Sequence, residues 1–147
     1  MGSKGEANWK LERTPENEFR RCYIAPRACQ HAFKHCRSIV TFDGTAIKSR
    51  YKMLLLVAVT LDANEETLPL AWGIVPIENK DNWMWFMCQF SWDFIINTST
   101  TAIISDREKG IVQAVTEYAS KAHHYHCCQH LAENVKASYG LACSKLF

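Results

Sequence analysis

Residues 38–61 read SIVTFDGTAIKSRYKMLLLVAVTL, and this stretch decides the fold class. Its first part, residues 38–43, is β-branched and aromatic and runs into Asp-Gly-Thr, which predicts a strand followed by a turn. Its last part, residues 51–61, is a nearly continuous apolar run of strand length. Such a run is typical of a central strand that is buried on both faces, so the segment predicts the interior of a sheet.

The segments that follow predict a third strand and then an alternation of helices and strands. Residues 68–77 form another apolar run after a polar turn, which predicts a hairpin. A helix beginning at residues 79–81 carries one apolar stripe, made of Trp83, Phe86, Met87, Phe90 and Phe94. The later elements expected are a strand at 100–105, a helix at 110–118, a strand at 123–128 and a helix at 131–137. This order predicts an α/β fold with a mixed five-stranded sheet flanked by helices.

The N-terminal residues show a different pattern. Residues 1–18 contain Gly, Pro, Asn and alternating charges without an apolar period, which indicates a flexible leader. From residue 19 apolar residues recur every three to four places, and Pro26 interrupts the run. This predicts an extended segment and then a short helix from about Arg27. We therefore expect a leader at 1–18 and one domain at 19–147.

The composition is that of a globular protein. Apolar residues make up 48% and charged residues 22% of the 147, which excludes a disordered chain. The formal charge of +2 neither requires nor excludes nucleic acid as a partner. The seven cysteines are odd in number and irregularly spaced, which favours a reducing intracellular compartment. Since neither a secretory signal nor a bilayer-spanning apolar run is present in the sequence, a soluble protein is expected.

Two aspartates, Asp43 and Asp106, each close an apolar strand. If the two strands are neighbours and parallel, both carboxylates emerge at the same edge of the sheet. Carboxylate oxygens that converge in this way suit Mg²⁺ or Mn²⁺, and such ions activate oxygen nucleophiles for attack on phosphate. Asp is also common in turns and at helix starts, so the spacing alone leaves open a purely structural role for both residues.

Several short motifs follow one another in a fixed order along the chain. Around the first aspartate they are Tyr23-Ile24-Ala25-Pro26, Ala32-Phe33, and Phe42-Asp43-Gly44-Thr45 with Lys48 and Tyr51. Then come Leu68-Pro69-Leu70-Ala71-Trp72-Gly73, Glu78-Asn79 and Trp83-Met84-Trp85-Phe86. The last are Ile104-Ser105-Asp106 with Lys109-Gly110, and Cys127-Cys128-Gln129-His130-Leu131 with Asn134. In this order the motifs resemble the transposase domain of Mutator-like elements, over roughly residues 19–137.

The resemblance implies a ribonuclease-H-like fold and a DDE-type cut-and-paste mechanism that uses Mg²⁺ or Mn²⁺. By matching motif position, Asp43 is the first metal-binding acid and Asp106 the second. The implied partner is DNA, at the terminal inverted repeats of a transposable element, and the implied compartment is the nucleus. The implied third acid is a Glu on a helix well downstream of the Cys-x-x-His segment.

The position of that third acid raises alternatives. The sequence ends at Phe147, so we expect a partial, C-terminally truncated core. Glu133 comes too early to match the family's Glu, and Glu78 stands in a loop where no catalytic role is expected. Besides the catalytic-core fragment of a transposase, two interpretations therefore stay open. One is a catalytically inactive, domesticated DNA-associated or regulatory protein, and the other is an unrelated ribonuclease-H-like nuclease.

A cluster of His and Cys stands at residues 123–130. Cys127 and His130 have the spacing of half a tetrahedral zinc site, and the family has a Cys-x-x-His at this place with its other ligands downstream. Zn²⁺ is therefore considered as a second cofactor, whereas the structural alternative for Cys127 is a buried strand end. His31 and His35 lie four residues apart but lack further ligands, so an exposed helix face is expected for them.

Three further expectations concern the surface. Trp83 is assigned to the core, whereas Trp85, on another helix face, is expected to contact another molecule. Lys48, Arg50 and Lys52 follow the first strand closely and can contact phosphate or form a solvated edge. A partial sheet leaves apolar surface uncovered, so self-association is expected.

Overall fold

The computed structural model describes residues 6–139, which form a seven-stranded mixed sheet and four helices. The strands are β1 (Ala7–Arg13), β2 (Phe19–Pro26), β3 (Ile39–Ala46), β4 (Leu54–Leu61), β5 (Thr67–Val75), β6 (Ala102–Ser105) and β7 (His123–His126). The helices are α1 (Arg27–Phe33), α2 (Lys80–Asp93), α3 (Lys109–Tyr118) and α4 (Cys128–Tyr139). The strand order is β1-β2-β5-β4-β3-β6-β7. The neighbouring pairs β1–β2, β2–β5, β5–β4 and β4–β3 are antiparallel, whereas β3–β6 and β6–β7 are parallel.

The expected α/β class with a mixed sheet is confirmed, but the strand count of five is wrong. The five expected strands are present as β3 to β7, and β1 and β2 extend the sheet beyond β5. The short helix from Arg27 is present as α1. The next helix also begins where expected, because the Asn79 side chain accepts a hydrogen bond from the Asn82 N–H at 2.9 Å and caps α2.

Strand β1 lies inside the segment expected to be a flexible leader, and that expectation is wrong for residues 7–13. β1 pairs antiparallel with β2 along its whole length. Its pattern is unlike that of an ordinary edge strand, because polar side chains face the helices: Asn8 donates to the Asp93 carboxylate of α2. The apolar side chains of Trp9 and Leu11 point the other way and are exposed. Ala7, Trp9 and Leu11 alternate with polar residues, a period of two that is typical of a strand and that the sequence interpretation overlooked.

A buried arginine, Arg21 on β2, ties the N-terminal strands to α2. Its Nε donates to Glu12 Oε2 at 2.7 Å, and its Nη1 donates to Asp81 Oδ2 and Asn82 Oδ1, both at 3.0 Å. Its guanidinium lies 4.6 Å from the ring centroid of Trp85, whose Nε1 donates to Glu12 Oε1. Trp85 is only 7% exposed. The expectation that Trp85 contacts another molecule is therefore wrong, because side chains of β1 and β2 cover it.

One face of the sheet, which we call the helix face, packs against α1, α2 and α3 and contains the core. Phe86 of α2 is fully buried there and meets Phe42 of β3 edge-on, with 6.4 Å between ring centroids. Gly73 on β5 allows this approach, since a Cβ there would lie 2.6 Å from Phe86 Cδ2. Trp83 is 1% exposed, which confirms its assignment to the core.

The opposite face, which we call the open face, carries a row of apolar side chains. Residues that pair directly on neighbouring strands point to the same side. The pairings therefore place Trp9, Ile24, Trp72 and Val57 in one row across β1, β2, β5 and β4, and the row ends at Asp43 on β3. Trp9 and Ile24 are 48% and 42% exposed. Asp43 is thus a charged group that shares its side of the sheet with partly exposed apolar neighbours.

None of the helices within residues 6–139 is long and apolar enough to cross a membrane. The six cysteines of this part of the chain are free thiols. Burial raises the pKa of Cys22, Cys29 and Cys36. A higher pKa lowers the thiolate fraction at neutral pH, and the thiolate is the form that binds metal.

Candidate functional site

The strands that lead to the two aspartates are adjacent and parallel, as the sequence interpretation required. Three consecutive residues of β3, ending at Thr41, pair in register with three of β6, ending at Ile104. Asp43 and Asp106 each lie two residues beyond that last pair. Because neighbouring strands are about 4.8 Å apart, the two residues emerge side by side. We call this carboxyl end of β3 and β6 the site edge.

Each aspartate has one oxygen bound to nearby backbone. Asp43 Oδ1 accepts from the Gly44 N–H at 2.9 Å, and Asp106 Oδ1 accepts from the Glu108 N–H at 3.0 Å. The Asp43 side chain is 48% exposed, and Asp106 is half-buried. Each carboxylate is therefore held by a backbone N–H of a residue that follows closely, inside β3 for Asp43 and before α3 for Asp106, while remaining open to solvent.

Glu78 is the residue at this edge for which no catalytic role was expected from the sequence. Its Oε1 accepts from Trp83 Nε1 at 3.1 Å, and a Cβ added to Gly44 would lie 2.9 Å from the same oxygen. Burial raises the pKa of Glu78; the Trp83 hydrogen bond opposes this, and the charges of Asp106, Glu108 and Asp43 raise it further. Glu78 therefore stands within the electrostatic field of both metal-binding candidates.

His130, in the first turn of α4, is brought to Asp43. Its Nε2 lies 3.8 Å from Asp43 Oδ1, and its Nδ1 is buried without a hydrogen-bond partner among the described residues. The other member of the expected half zinc site, Cys127, directly follows β7, and its N–H donates to the Ser105 carbonyl at 2.7 Å. Within residues 6–139 no group of three or more His, Cys, Asp or Glu is arranged to hold a metal ion by itself. A zinc site that uses Cys127 and His130 stays a prediction.

Strand β7 borders the site edge next to β6. Ser105 Oγ is within hydrogen-bond distance of His124 Nε2, at 2.9 Å, and Ser105 pairs in register with His126. Burial lowers the pKa of His124, and the neighbouring His126 lowers it further. His124 is therefore uncharged at neutral pH, and it connects β7 to Ser105 at the end of β6.

The remaining residues singled out in the sequence lie on the surface. Glu133 is exposed on α4, where its Oε1 accepts from Gln129 Nε2 at 3.2 Å. Lys48, Arg50 and Lys52 are exposed on the loop between β3 and β4, next to the site edge. His31 and His35 are exposed at the other end of β3, as expected of a solvent-facing helix end.

The donor set at the site edge fits a hard divalent cation. Asp43 and Asp106 offer carboxylate oxygens, the ligand type that Mg²⁺ and Mn²⁺ prefer. Mg²⁺ is usually bound through one or two carboxylates, while waters and substrate phosphates fill its other positions. Two adjacent carboxylates that are open to solvent match this mode of binding.

These features define a class of protein: an α/β fold with a mixed sheet and two carboxylates just beyond the point where the parallel pairing of adjacent strands ends, although β3 itself continues to Ala46 instead of turning after Asp43 as expected. Comparison with protein families matches residues 39–134 to the MULE transposase domain. The match covers well over half of the chain, so the protein belongs to the MULE transposase domain family, and the resemblance seen in the sequence is confirmed. The matched range includes Asp43, Glu78 and Asp106 but not β1 and β2. The chain matches none of the curated proteins with which it was compared.

Proposed function

We propose that this chain carries the metal-binding part of a transposase catalytic core, in which Asp43 and Asp106 together hold Mg²⁺ or Mn²⁺ for the cleavage and joining of DNA strands. The observation that carries the proposal is the parallel pairing of β3 and β6, which puts both aspartates at the same step beyond Thr41 and Ile104. Membership of the MULE transposase domain family supports DNA as the substrate.

The residues of the site edge have separate tasks in this proposal. When bound, a divalent metal ion supplies activation of a water or a 3′-hydroxyl and stabilisation of the leaving oxygen. Asp43 and Asp106 bind it through the carboxylate oxygens that accept no backbone hydrogen bond. Glu78, fixed by Trp83, adds negative charge nearby. His130 Nε2 lies 3.8 Å from Asp43 Oδ1, beyond hydrogen-bond distance, and its ring restricts the space around that carboxylate.

The finer features of the family are part of the same proposal. A ribonuclease-H-like fold is supported by the antiparallel strands β3 to β5 followed by the parallel strands β6 and β7. In a DDE-type mechanism the third acid is a Glu downstream of the Cys-x-x-His segment. The substrate sites are the terminal inverted repeats of a transposable element, and action on them places the protein in the nucleus.

Metal binding tests the site assignment directly. We expect Mn²⁺ titrated into the wild-type chain to bind, with affinity falling at least tenfold in Asp43→Asn and in Asp106→Asn, because each loses a charged ligand. Isothermal titration calorimetry and the paramagnetic resonance of free Mn²⁺ measure this without any turnover. The matched control is Asp62→Asn at the turn between β4 and β5, where Asn supports the same backbone turn. Equal affinities in all four proteins would remove Asp43 and Asp106 from the site.

A strand-cleavage assay separates the proposal from its alternatives. Cleavage at the ends of a DNA element in Mn²⁺ supports the transposase, whereas metal binding with no cleavage of any substrate is expected both of a catalytic-core fragment without its third acid and of an inactive DNA-associated protein. Cleavage of RNA–DNA hybrids without preference for ends indicates a nuclease.

A further inference from the structure

A second feature near the site edge is a cavity of about 320 Å³ whose lining begins at Arg107, the residue after Asp106. Its lining is formed by Arg107, Lys109, Val112, Gln113 and His126. Three of these five side chains are basic, and they come from two elements. Arg107 and Lys109 stand at the start of α3, and His126 ends β7 as the register partner of Ser105. The sheet therefore brings together basic groups that the sequence keeps apart.

The two permanent cations of this cavity are not used by the fold. Neither Arg107 nor Lys109 takes part in an ion pair among residues 6–139, and both are exposed. Glu108, which stands between them, is engaged elsewhere: its Oε2 accepts from the N–H groups of Gly110 and Ile111 at 2.6 and 3.0 Å and caps α3. Both cations are thus available to an anion from solution.

The position of the cavity relates it to the metal-binding edge. Arg107 directly follows Asp106, and consecutive Cα atoms are about 3.8 Å apart. The exposed loop between β3 and β4, with Lys48, Arg50 and Lys52, begins after Ala46, three residues beyond Asp43. Basic residues therefore follow both aspartates along the chain, at the same end of the parallel strands β3 and β6. A polyanionic strand that crosses the edge needs this pattern, because the acidic centre alone repels it.

We propose that the cavity lined by Arg107, Lys109 and His126 binds a backbone phosphate of the DNA strand, next to the phosphodiester that is positioned at the site edge. The proposal rests on the proposed function and adds to it a specific phosphate subsite. The guanidinium of Arg107 presents a planar fork that matches phosphate oxygens, and Lys109 adds a compact charge. Gln113, four residues after Lys109 on the same face of α3, supplies amide donors.

The salt dependence of DNA binding tests the subsite. Fluorescence anisotropy of a labelled DNA duplex is measured with the full chain over a range of NaCl concentrations, with EDTA present so that metal binding plays no part. Each neutralised phosphate contributes about 0.9 to the slope of log Kobs against log[NaCl]. We expect the Arg107→Gln/Lys109→Gln variant to lose about 1 from this slope. The control, Lys34→Gln/Lys121→Gln, removes the same charge near the opposite ends of β3 and β7 and leaves the slope unchanged.

The outcomes distinguish this inference from the proposed function. If the wild type binds DNA and both variants show its slope, the subsite is wrong while the proposed function stands. If the wild type binds no DNA at any salt concentration, both are wrong. Calorimetric titration with inorganic phosphate adds a further arm: tight binding that the Arg107→Gln/Lys109→Gln variant loses, without any change in DNA binding, identifies a free-phosphate site and overturns the subsite on DNA.

Discussion

At the scale of single residues, Glu78 shows how a small neighbour shapes the site edge. Gly44 follows Asp43, and its lack of a side chain lets the Glu78 carboxylate lie against β3. Nothing in the sequence connects the two positions, because two strands separate them along the chain. Trp85 was expected to contact another molecule because it lies on a different helix face from the core stripe, but Arg21 and Glu12 bury it.

We predict that Glu78→Gln stabilises the metal-free protein at alkaline pH. The folded-state pKa of Glu78 is raised above its ordinary value of 4.5, so its ionisation costs stability as pH rises through the folded pKa, and the cost is absent below 4.5. Gln keeps the hydrogen bond from Trp83 without the charge. Thermal melts in EDTA should show a higher Tm for the variant at pH 8 and equal Tm values near pH 4.5. The gain in the free energy of unfolding at pH 8 should be less than about 1 kcal/mol, because solvent screens the charge.

The control for this prediction is Glu117→Gln on the exposed side of α3, for which no gain at pH 8 is expected. A Glu78→Gln variant that is less stable at both pH values would show that the carboxylate supports the fold rather than straining it.

At the scale of elements, the strands β3 to β7 were predicted, β2 was expected only as an extended segment, and β1 was missed although its apolar residues alternate with polar ones. β3 to β6 are short apolar or β-branched runs between turn residues, so their local pattern agrees with their place in the sheet. β1 is held instead by its pairing with β2 and by the contacts of Glu12 with Arg21 and Trp85. Such long-range polar contacts have no periodic signal.

We predict that the β1–α2 connection is sensitive to acid. Burial opposes ionisation of Glu12, but the hydrogen bond and charge of Arg21, the hydrogen bond from Trp85 and the charge of Lys10 outweigh it and lower its pKa. The stability that Glu12 contributes is therefore full above 4.5 and is lost as pH falls through the folded pKa. Glu12→Gln should cost about 1–3 kcal/mol at pH 7 in urea unfolding, since a charged hydrogen bond to a buried arginine is lost, and the difference should vanish in acid.

Glu65→Gln is the matched control, because the Arg37–Glu65 ion pair has the same length, 2.7 Å, but is exposed. We expect it to cost less than about 1 kcal/mol. Equal losses in the two variants would mean that burial of Arg21 adds nothing to the interaction.

At the scale of the whole molecule, the open face bears on assembly. Its row of apolar side chains continues from Trp9 on β1 to Val57 beside Asp43. Contiguous apolar surface of this kind drives association in water. The expectation of self-association thus has a defined location, although it stays a prediction.

We predict that Trp9→Thr/Leu11→Thr reduces self-association in sedimentation velocity experiments over a range of protein concentrations, because it removes the exposed apolar end of the open face while keeping β propensity. The control is Trp92→Thr/Ile95→Thr, which removes two apolar side chains outside the sheet. These side chains are 77% and 84% exposed, more than Trp9 and Leu11. A wild-type chain that stays monomeric at all concentrations, or an equal effect of both variants, would contradict the location.

The sequence by itself determined the α/β class, the five strands β3 to β7, the start of α2, the family and the two aspartates. These follow from local patterns: apolar runs of strand length, a helix cap at Asn79, and ordered motifs. Only the tertiary structure decided that β1 joins the sheet, that Trp85 is buried, that Glu78 lies against Gly44 of β3 and that Arg107, Lys109 and His126 line one cavity. The physical reason is that these features arise from pairings between distant segments, whose energy comes from contacts that no local window of sequence contains.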